Sequence, residues 1–259
     1  MFFRVLDIET VPDLSTWTPS EIKWELVPGA PGLSTQHLLR PVASWPPPQA
    51  NRVVAVSHLL MEATLSKEEG RRYVFRDFYT KAAWGADDEK LLIAAFGESQ
   101  TKQSATIVSW AGRSFDLPVL AMRALKHGLD WGWYYQNKSV RYRYSDEGHC
   151  DLMDVLSDYG ASRSLKLGDA ARLVGLPGKT DMDGSLVADV VARGPNEADY
   201  AKVARYCGHD VLQTALVFLR SRMLFGYLDQ AGLKHSAETF KDVAKNLSLE
   251  VDWNSYLML

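Results

Sequence analysis

Cysteine is scarce in this sequence: its 259 residues include only Cys150 and Cys207. Two cysteines so far apart form neither a disulfide scaffold nor the paired ligand spacing of a zinc site. We therefore expect a protein of a reducing compartment.

Long apolar runs and an excess of positive charge are also missing. No stretch approaches the roughly 20 apolar residues that span a bilayer, and the opening MFFRVLDIET has two acids where a signal peptide needs an apolar core. Lysine and arginine number 29 against 32 aspartates and glutamates, a net charge of −3. This balance excludes a basic coat that binds long duplex DNA nonspecifically. We predict a cytoplasmic protein without a membrane partner.

The composition is that of a globular protein, with 46% hydrophobic and 24% charged residues. Eight of the eleven prolines fall between Pro12 and Pro48. Because proline disrupts helices and central strands, we interpret residues 11–50 as an irregular excursion.

Strand and helix patterns alternate over the first half of the chain. Residues 2–8 and 105–110 read as buried strands, and 52–61 with 71–79 as an antiparallel hairpin. Helical spacing follows over 87–99, and again after residue 115, with Pro118 in the first turn and Gly128 as the stop. From about residue 150 we expect helices only. This order predicts an α/β fold with a central mixed sheet flanked by helices.

Asp7 and Glu9 stand two residues apart at the end of the first predicted strand. Side chains alternate across a strand, so both acids face the same side. Adjacent carboxylates repel each other unless a cation neutralises them, which makes the pair a candidate metal site. The alternative is two solvated acids at a strand end.

Two further acids occur in suggestive contexts. Asp116 opens a helix directly after a buried strand, where the alternative role is that of an N-cap. Asp210 lies on a long predicted helix with Tyr206 four residues earlier on the same face, and the alternative is a surface pair. Four carboxylates brought together could hold two hard cations that support phosphodiester hydrolysis.

These residues, in this order, resemble the three motifs of the DEDD, or DnaQ-like, 3′-5′ exonucleases. The motifs are D-x-E at Asp7 and Glu9, F-D at Phe115 and Asp116, and Y-x-x-x-D at Tyr206 and Asp210. The tyrosine marks the DEDDy branch. The segments GRSFDLPVL, CDLMDVLSDYGA, GLPGK, DGS and YCxxDVxxT are similar to the predicted exonucleases related to the proofreading domain of family B DNA polymerases.

The resemblance implies an RNase H-like domain over residues 1–222, followed by a C-terminal helical extension or tail over 223–259. It implies that two Mg²⁺ or Mn²⁺ ions are bound, with Asp7 bridging them, and that the Tyr206 hydroxyl orients the attacking water. Ile8, Thr10 and Phe115 would contact the 3′-terminal nucleotide. The metal ligands it implies are Asp7, Glu9, Asp116 and Asp210.

Two positions near the motifs need separate comment. Ala111 stands where relatives usually have asparagine before the glycine of their FNGRSFD-like segment, and the difference concerns substrate handling more than metal binding. His209 is not the general-base histidine of the DEDDh branch, because that residue precedes the last aspartate by five, where this chain has Arg205.

The segment WGWYYQNKSVRYRY (131–144) combines six aromatic residues with Lys138, Arg141 and Arg143. Aromatic rings stack on unpaired bases while cations follow phosphates, so this segment could guide a single strand toward the acids. The alternative is a partly exposed β-hairpin. Elsewhere, we interpret Cys207 as a core residue and favour a helix cap for Asp151, with support of the metal site as the alternative.

The sequence thus predicts a two-metal 3′-5′ exonuclease that releases nucleoside 5′-monophosphates from single-stranded nucleic acid, with DNA favoured over RNA. A role in DNA repair, or an association with a polymerase partner, is compatible with this activity. A competing hypothesis is a catalytically weak or inactive nucleic-acid-binding protein that keeps the fold. A third is a hydrolase of small nucleotides.

Overall fold

A five-stranded mixed sheet forms the centre of the molecule. The computed structural model describes residues 1–17, 22–26, 39–43, 46–67, 70–85, 87–178, 184–192 and 196–258. The strands within these ranges are β1 (Phe2–Pro12), β2 (Ile22–Leu26), β3 (Leu39–Ala43), β4 (Asn51–Ser66), β5 (Gly70–Ala82), β6 (Thr106–Ser109) and β7 (His149–Asp151). The central sheet has the order β5-β4-β1-β6-β7.

Strand β1 occupies the middle of this sheet because its residues are apolar on both faces. It pairs antiparallel with β4 and parallel with β6, and β6 pairs parallel with β7. Strands β4 and β5 form the predicted hairpin. The register between β1 and β4 shifts immediately after Glu9. A bulge of this kind is a common device beside functional sites, since it re-aims side chains.

Helices cover both faces of the sheet. They are α1 (Asp88–Lys102), α2 (Asp116–His127), α3 (Gly132–Tyr135), α4 (Lys138–Arg141), α5 (Leu152–Leu156), α6 (Leu167–Leu173), α7 (Gly184–Ala192), α8 (Glu197–Leu224), α9 (Gln230–Glu238), α10 (Lys241–Asn246) and α11 (Trp253–Met258). Pro118 lies in the first turn of α2, and Gly128 ends that helix with a φ of 64°, as predicted. No helix in the described ranges combines the length and the apolar character that a bilayer span requires.

The two faces of β1 enter different apolar cores. Phe3 and Val5 pack with residues of α8 and α9, whereas Leu6 and Ile8 pack with residues of α1 and α2. The alternation continues along the strand, so Asp7 and Glu9 follow Phe3 and Val5 on the α8 side. The central mixed sheet flanked by helices is therefore confirmed, and it determines which helix meets the acidic end of β1.

Three structural expectations are wrong in part. Strand β7 occurs where only helices were expected; its three residues lead directly into α5, too short a run for a periodic pattern. Residues 11–50 are not wholly irregular, because β2 and β3 pair antiparallel and Pro48–Ala50 form a 3₁₀ turn. Within that excursion, residues 18–21, 27–38 and 44–45 lie outside the described residues. The β-hairpin alternative for 131–144 is also wrong, since α3 and α4 form there.

A buried ion cluster ties the start of β4 to the helices on the α2 side. Arg123 donates to both carboxylate oxygens of Glu89, at 2.7 and 2.6 Å, and to Asp13 at 2.7 Å. Arg123 also donates to the Gln49 carbonyl at 2.9 Å. The backbone N–H of Asp13 donates to the Ala50 carbonyl, so both ends of the intervening excursion are held together. Nothing in the sequence pattern predicted this cluster.

Candidate metal centre

The acids of all three motifs converge at the end of β1 that faces α8. Asp7 and Glu9 come from β1, Asp116 is the first residue of α2, and Asp210 lies on α8. Loss of hydration and then the charges of the other three carboxylates raise the pKa of Asp7 well above its ordinary value. Three separate elements therefore build one cluster of negative charge.

Asp116 is held by the strand that carries the first motif. The backbone N–H of Ile8 donates to Asp116 Oδ1 at 3.1 Å, and the carboxyl group is buried. Burial, reinforced by the charges of Asp151 and Asp210, raises the pKa of Asp116 to about 7. An N-cap role does not fit, since Asp116 lies inside α2 and Phe115 occupies the cap position.

The loop before Asp116 is anchored by Asp151. The backbone N–H groups of Ala111 and Arg113 donate to the two carboxylate oxygens of Asp151, at 3.0 and 2.9 Å. Asp151 also caps α5 by accepting from the backbone N–H of Met153, which confirms the predicted cap. The same carboxylate thus holds β7, α5 and the loop that leads into α2.

Backbone geometry shows why asparagine would suit the Ala111 position of this loop. Ala111 has a φ of 61°, in the left-handed region that asparagine tolerates better than alanine. A Cβ on the adjacent Gly112 would lie 2.5 Å from Ser109 Oγ and 3.3 Å from Asp116 Oδ2, so only glycine fits there. The loop is constrained at both positions.

Helix α8 brings Cys207 and Asp210 beside Asp7, and Tyr206 lies on the same helix face as Asp210. All three residues are buried: Tyr206 is 7% exposed, Cys207 0% and Asp210 7%. Behind them, a Cβ on Gly208 would lie 3.0 Å from Leu247, and a ring nitrogen of His209 is 2.8 Å from the Leu247 carbonyl oxygen. The C-terminal helices therefore support the segment of α8 that carries the third motif.

Cys207 is a buried core residue, as predicted, but its contact with Asp7 was not predicted from the sequence. Its Sγ lies 3.4 Å from both Asp7 Oδ2 and the Asp7 carbonyl oxygen. One potential ligand atom from each of Asp7, Glu9 and Cys207 lies within 4.8 Å of the others. The available signal was its spacing, because Cys207 precedes Asp210 by three residues and so shares a helix face with it.

The predicted nucleotide contacts are distributed unevenly. Ile8 is 4% exposed and packs into the apolar core on the α2 side, so we no longer expect its side chain to touch a nucleotide. Thr10 is partly exposed, and its hydroxyl donates to Asn51 at 3.3 Å. Phe115 is also partly exposed, at the cap of α2 beside Asp116.

The three cations of the aromatic segment do not gather at the acids. Asn137 and Ser139, on either side of Lys138, line a surface cavity with Phe2 at the start of β1. The five-residue rise from Phe2 to Asp7 corresponds to about 16 Å along the strand, so this cavity lies toward the opposite end of β1.

Both arginines of that segment are engaged locally. Arg141 donates to the Tyr135 carbonyl at 3.0 Å and stacks over the Tyr135 ring. Arg143 donates to both carboxylate oxygens of Asp154, at 2.7 and 3.2 Å. The role of Lys138, Arg141 and Arg143 in guiding a single strand stays a prediction.

Comparison with known proteins identifies the same fold. A family model described as a predicted 3′-5′ exonuclease related to the exonuclease domain of PolB matches residues 44–258. The family B DNA polymerase from the hyperthermophilic archaeon Pyrobaculum calidifontis is 18% identical, with a TM-score of 0.55, over 86% of this chain and 24% of the polymerase. This similarity shows the fold and confirms the RNase H-like class.

Two Escherichia coli exonuclease I structures are also similar. The zinc-bound complex with single-stranded DNA is 14% identical and the complex with a dT13 oligonucleotide is 15% identical, each with a TM-score of 0.38. Both matches cover 90% of this chain and 45% of exonuclease I. This chain thus spans about a quarter of the polymerase and less than half of exonuclease I. No relative was found among curated proteins.

Proposed function

The chain belongs to the family of predicted 3′-5′ exonucleases related to the exonuclease domain of PolB, and from that membership we propose that it removes nucleotides from the 3′ end of single-stranded DNA. Enzymes of this class are metal-dependent hydrolases of phosphodiester bonds. The observation that carries the proposal is the convergence of Asp7, Glu9, Asp116 and Asp210 from three elements into one cluster.

The acidic cluster fits hard divalent cations. Carboxylate oxygens are the ligands that Mg²⁺ and Mn²⁺ prefer. Burial is the main cause that raises the pKa of Asp7 and of Asp116, and repulsion by the neighbouring carboxylates adds to it, which a bound cation would relieve. Four carboxylates supply enough charge for two divalent ions, and the proposed ligands are Asp7, Glu9, Asp116 and Asp210.

Metal binding and water orientation are separate tasks in the proposed reaction. Bound cations would activate water for attack on phosphorus and stabilise the leaving oxygen. The Tyr206 hydroxyl, on the same face of α8 as Asp210, would hold the attacking water by a hydrogen bond, as in the DEDDy branch. Hydrolysis breaks the bond between phosphorus and the 3′ oxygen of the preceding nucleotide, so the product is a nucleoside 5′-monophosphate.

The charge of the site also determines when substrate binds. Phosphodiesters and the four carboxylates are all negative, so a strand end should approach the cluster only when divalent cations neutralise it. A protein that only bound nucleic acid would gain nothing from this arrangement. The complete acid set therefore favours catalysis over a binding role, and similarity to a DNA polymerase favours DNA over RNA.

The test is hydrolysis of 5′-labelled single-stranded DNA and RNA with Mg²⁺, Mn²⁺ or EDTA. We expect a ladder that shortens from the 3′ end of DNA and requires metal. Asp210→Asn should lower the rate by at least about a hundredfold, since it removes a carboxylate that would hold the metal ions on which hydrolysis depends.

Asp87→Asn is the matched control, because Asp87 is exposed and makes no side-chain cap bond, and it should leave the rate unchanged. Metal-dependent strand binding without shortening would replace the proposal with the binding hypothesis. If the oligomers are not shortened and mononucleotides compete strongly with them for binding, the result would indicate a small-nucleotide hydrolase.

A further inference from the structure

A thiol lies inside the proposed metal centre. Cys207 is fully buried on α8, and its Sγ is 3.4 Å from Asp7 Oδ2. Mg²⁺ and Mn²⁺ do not prefer a sulfur ligand, since hard cations bind oxygen. The four carboxylates therefore leave the sulfur without a role in binding hard cations.

The distance between sulfur and oxygen suits a softer ion. Zinc binds sulfur at about 2.3 Å and carboxylate oxygen at about 2.0 Å, and at a tetrahedral angle two such ligands lie about 3.5 Å apart. The observed separation of Cys207 Sγ and Asp7 Oδ2 is 3.4 Å. Glu9 adds a third donor, because one ligand atom from each of the three residues lies within 4.8 Å of the others.

We infer that Asp7, Glu9 and Cys207 form a binding site for thiophilic divalent cations such as Zn²⁺ or Cd²⁺, which compete with Mg²⁺ and Mn²⁺ for Asp7 and Glu9. The inference rests on the proposed function, in which those two acids are metal ligands. Binding replaces the S–H bond of Cys207 with a metal–sulfur bond, and the proton passes to solvent. The consequence is inhibition of hydrolysis by zinc through the active centre itself.

The competing interpretation is a structural hydrogen bond. A thiol at 3.4 Å can donate to the Asp7 carboxylate and simply hold its orientation. That role predicts no preference for soft ions. The two interpretations differ in whether sulfur binds the metal, which is directly observable.

Cd²⁺ titration is the test, because a thiolate bound to Cd²⁺ has an ultraviolet charge-transfer band that oxygen ligands lack. The protein would be compared with Cys207→Ser and with Cys150→Ser as the matched control. Cys150 is the other buried thiol; it contacts Arg222 and lies outside the acidic cluster. Circular dichroism melts would show that each variant is folded, and Cys207→Ala provides a second variant if the serine is not tolerated.

In the wild type and in Cys150→Ser we expect a charge-transfer band that saturates at about one Cd²⁺ per chain and disappears when Zn²⁺ displaces the Cd²⁺. The band should be absent from Cys207→Ser. The ratio of Zn²⁺ affinity to Mn²⁺ affinity, from calorimetry and Mn²⁺ paramagnetic resonance, should fall at least about tenfold in Cys207→Ser. A missing band in the wild type, a band that survives in Cys207→Ser, or an unchanged affinity ratio would each overturn the inference.

A separate readout keeps the two proposals distinguishable. Mn²⁺-dependent shortening of DNA by the wild type reports on the proposed function. If shortening occurs without a Cd²⁺ band, only the soft-metal site is wrong. If neither occurs, both proposals fail.

Discussion

Replacing Asp116 by asparagine should stabilise the metal-free protein. Burial is the main cause that raises the pKa of this carboxyl from 3.8 to about 7, and the charges of Asp151 and Asp210 add to it. Asparagine has no charge to bury, yet it keeps an oxygen that can accept from the Ile8 N–H. Asp116→Asn therefore removes the electrostatic cost and leaves the local hydrogen bond in place.

The size of the effect follows from the pKa shift. A rise from 3.8 to about 7 is about three units, and each unit corresponds to about 1.4 kcal/mol, so the full cost is about 4 kcal/mol. Part of this electrostatic cost is relieved when the neighbouring acids change their own protonation. We expect a gain of about 2 to 4 kcal/mol in the free energy of unfolding at pH 8, or about 5 to 15 °C in melting temperature.

The pH dependence has a definite sign. Between about pH 4 and pH 7 the folded state keeps a proton on Asp116 that the unfolded chain has released, so wild-type stability falls as the pH rises through this window. Below pH 4 both states are protonated and the cost disappears. The advantage of Asp116→Asn should therefore be full at pH 8 and shrink toward zero near pH 4.

Urea and thermal unfolding in EDTA, at pH 8 and pH 4, would measure the difference. Asp87→Asn, an exposed acid at the start of α1, is the control and should change stability by less than about 0.5 kcal/mol. Metal binding to the folded state adds stability that increases with its affinity. Saturating Mn²⁺ should therefore stabilise the wild type more than Asp116→Asn, which has lost one of the proposed carboxylate ligands. The reasoning is refuted if Asp116→Asn is no more stable than the wild type in EDTA at pH 8.

Other substitutions probe the supports around the site. Ala111→Asn should raise stability by about 0.5 to 1 kcal/mol in urea unfolding, because the residue has a φ of 61°; a loss would show that the loop does not need a left-handed residue. Asp151→Asn should lower kcat about 10- to 100-fold with little change in KM, since an amide cannot accept both backbone N–H groups, and unchanged kcat would remove its positioning role. Arg123→Met should cost about 3 to 5 kcal/mol at pH 7, because it removes the buried cation that Glu89 and Asp13 share and leaves Asp13 paired only with Lys126; a loss under 1 kcal/mol would contradict this.

The Arg123 variant has its own pH signature. Burial acts to raise the pKa of Asp13 and of Glu89, but hydrogen bonds from Arg123, Lys126 and other donors outweigh it and both pKa values are lowered. Their stabilising effect is present above about pH 4 and is lost as the pH falls. The difference between wild type and Arg123→Met should therefore narrow below about pH 4, which unfolding at pH 7 and at about pH 2 would show.

Local patterns predicted the elements that carry the motifs. Strand β1, the β4–β5 hairpin and helix α2 follow from alternation, helical spacing, Pro118 and Gly128, all of which act within a few residues. Asp7 and Glu9 face the same side because their spacing matches the strand period. The motif order also predicted the fold class correctly.

Other features depend on neighbours far apart in the chain. Strand β7 exists because β6 offers it an edge, and three residues leave no pattern of their own. The segment 131–144 forms α3 and α4, although its aromatic and basic residues have no clear period. The short helices place Arg141 beside Tyr135 and Arg143 beside Asp154.

The sequence by itself determined which residues could do chemistry: four acids and a tyrosine, at spacings that a strand and a long helix present on single faces. Only the tertiary structure decided what surrounds them, placing Cys207 against Asp7, anchoring the Ala111 loop on Asp151 and removing Ile8 to the opposite core. The reason is physical: backbone periodicity acts over a few residues, whereas burial, charge and hydrogen bonding depend on which distant segments pack together.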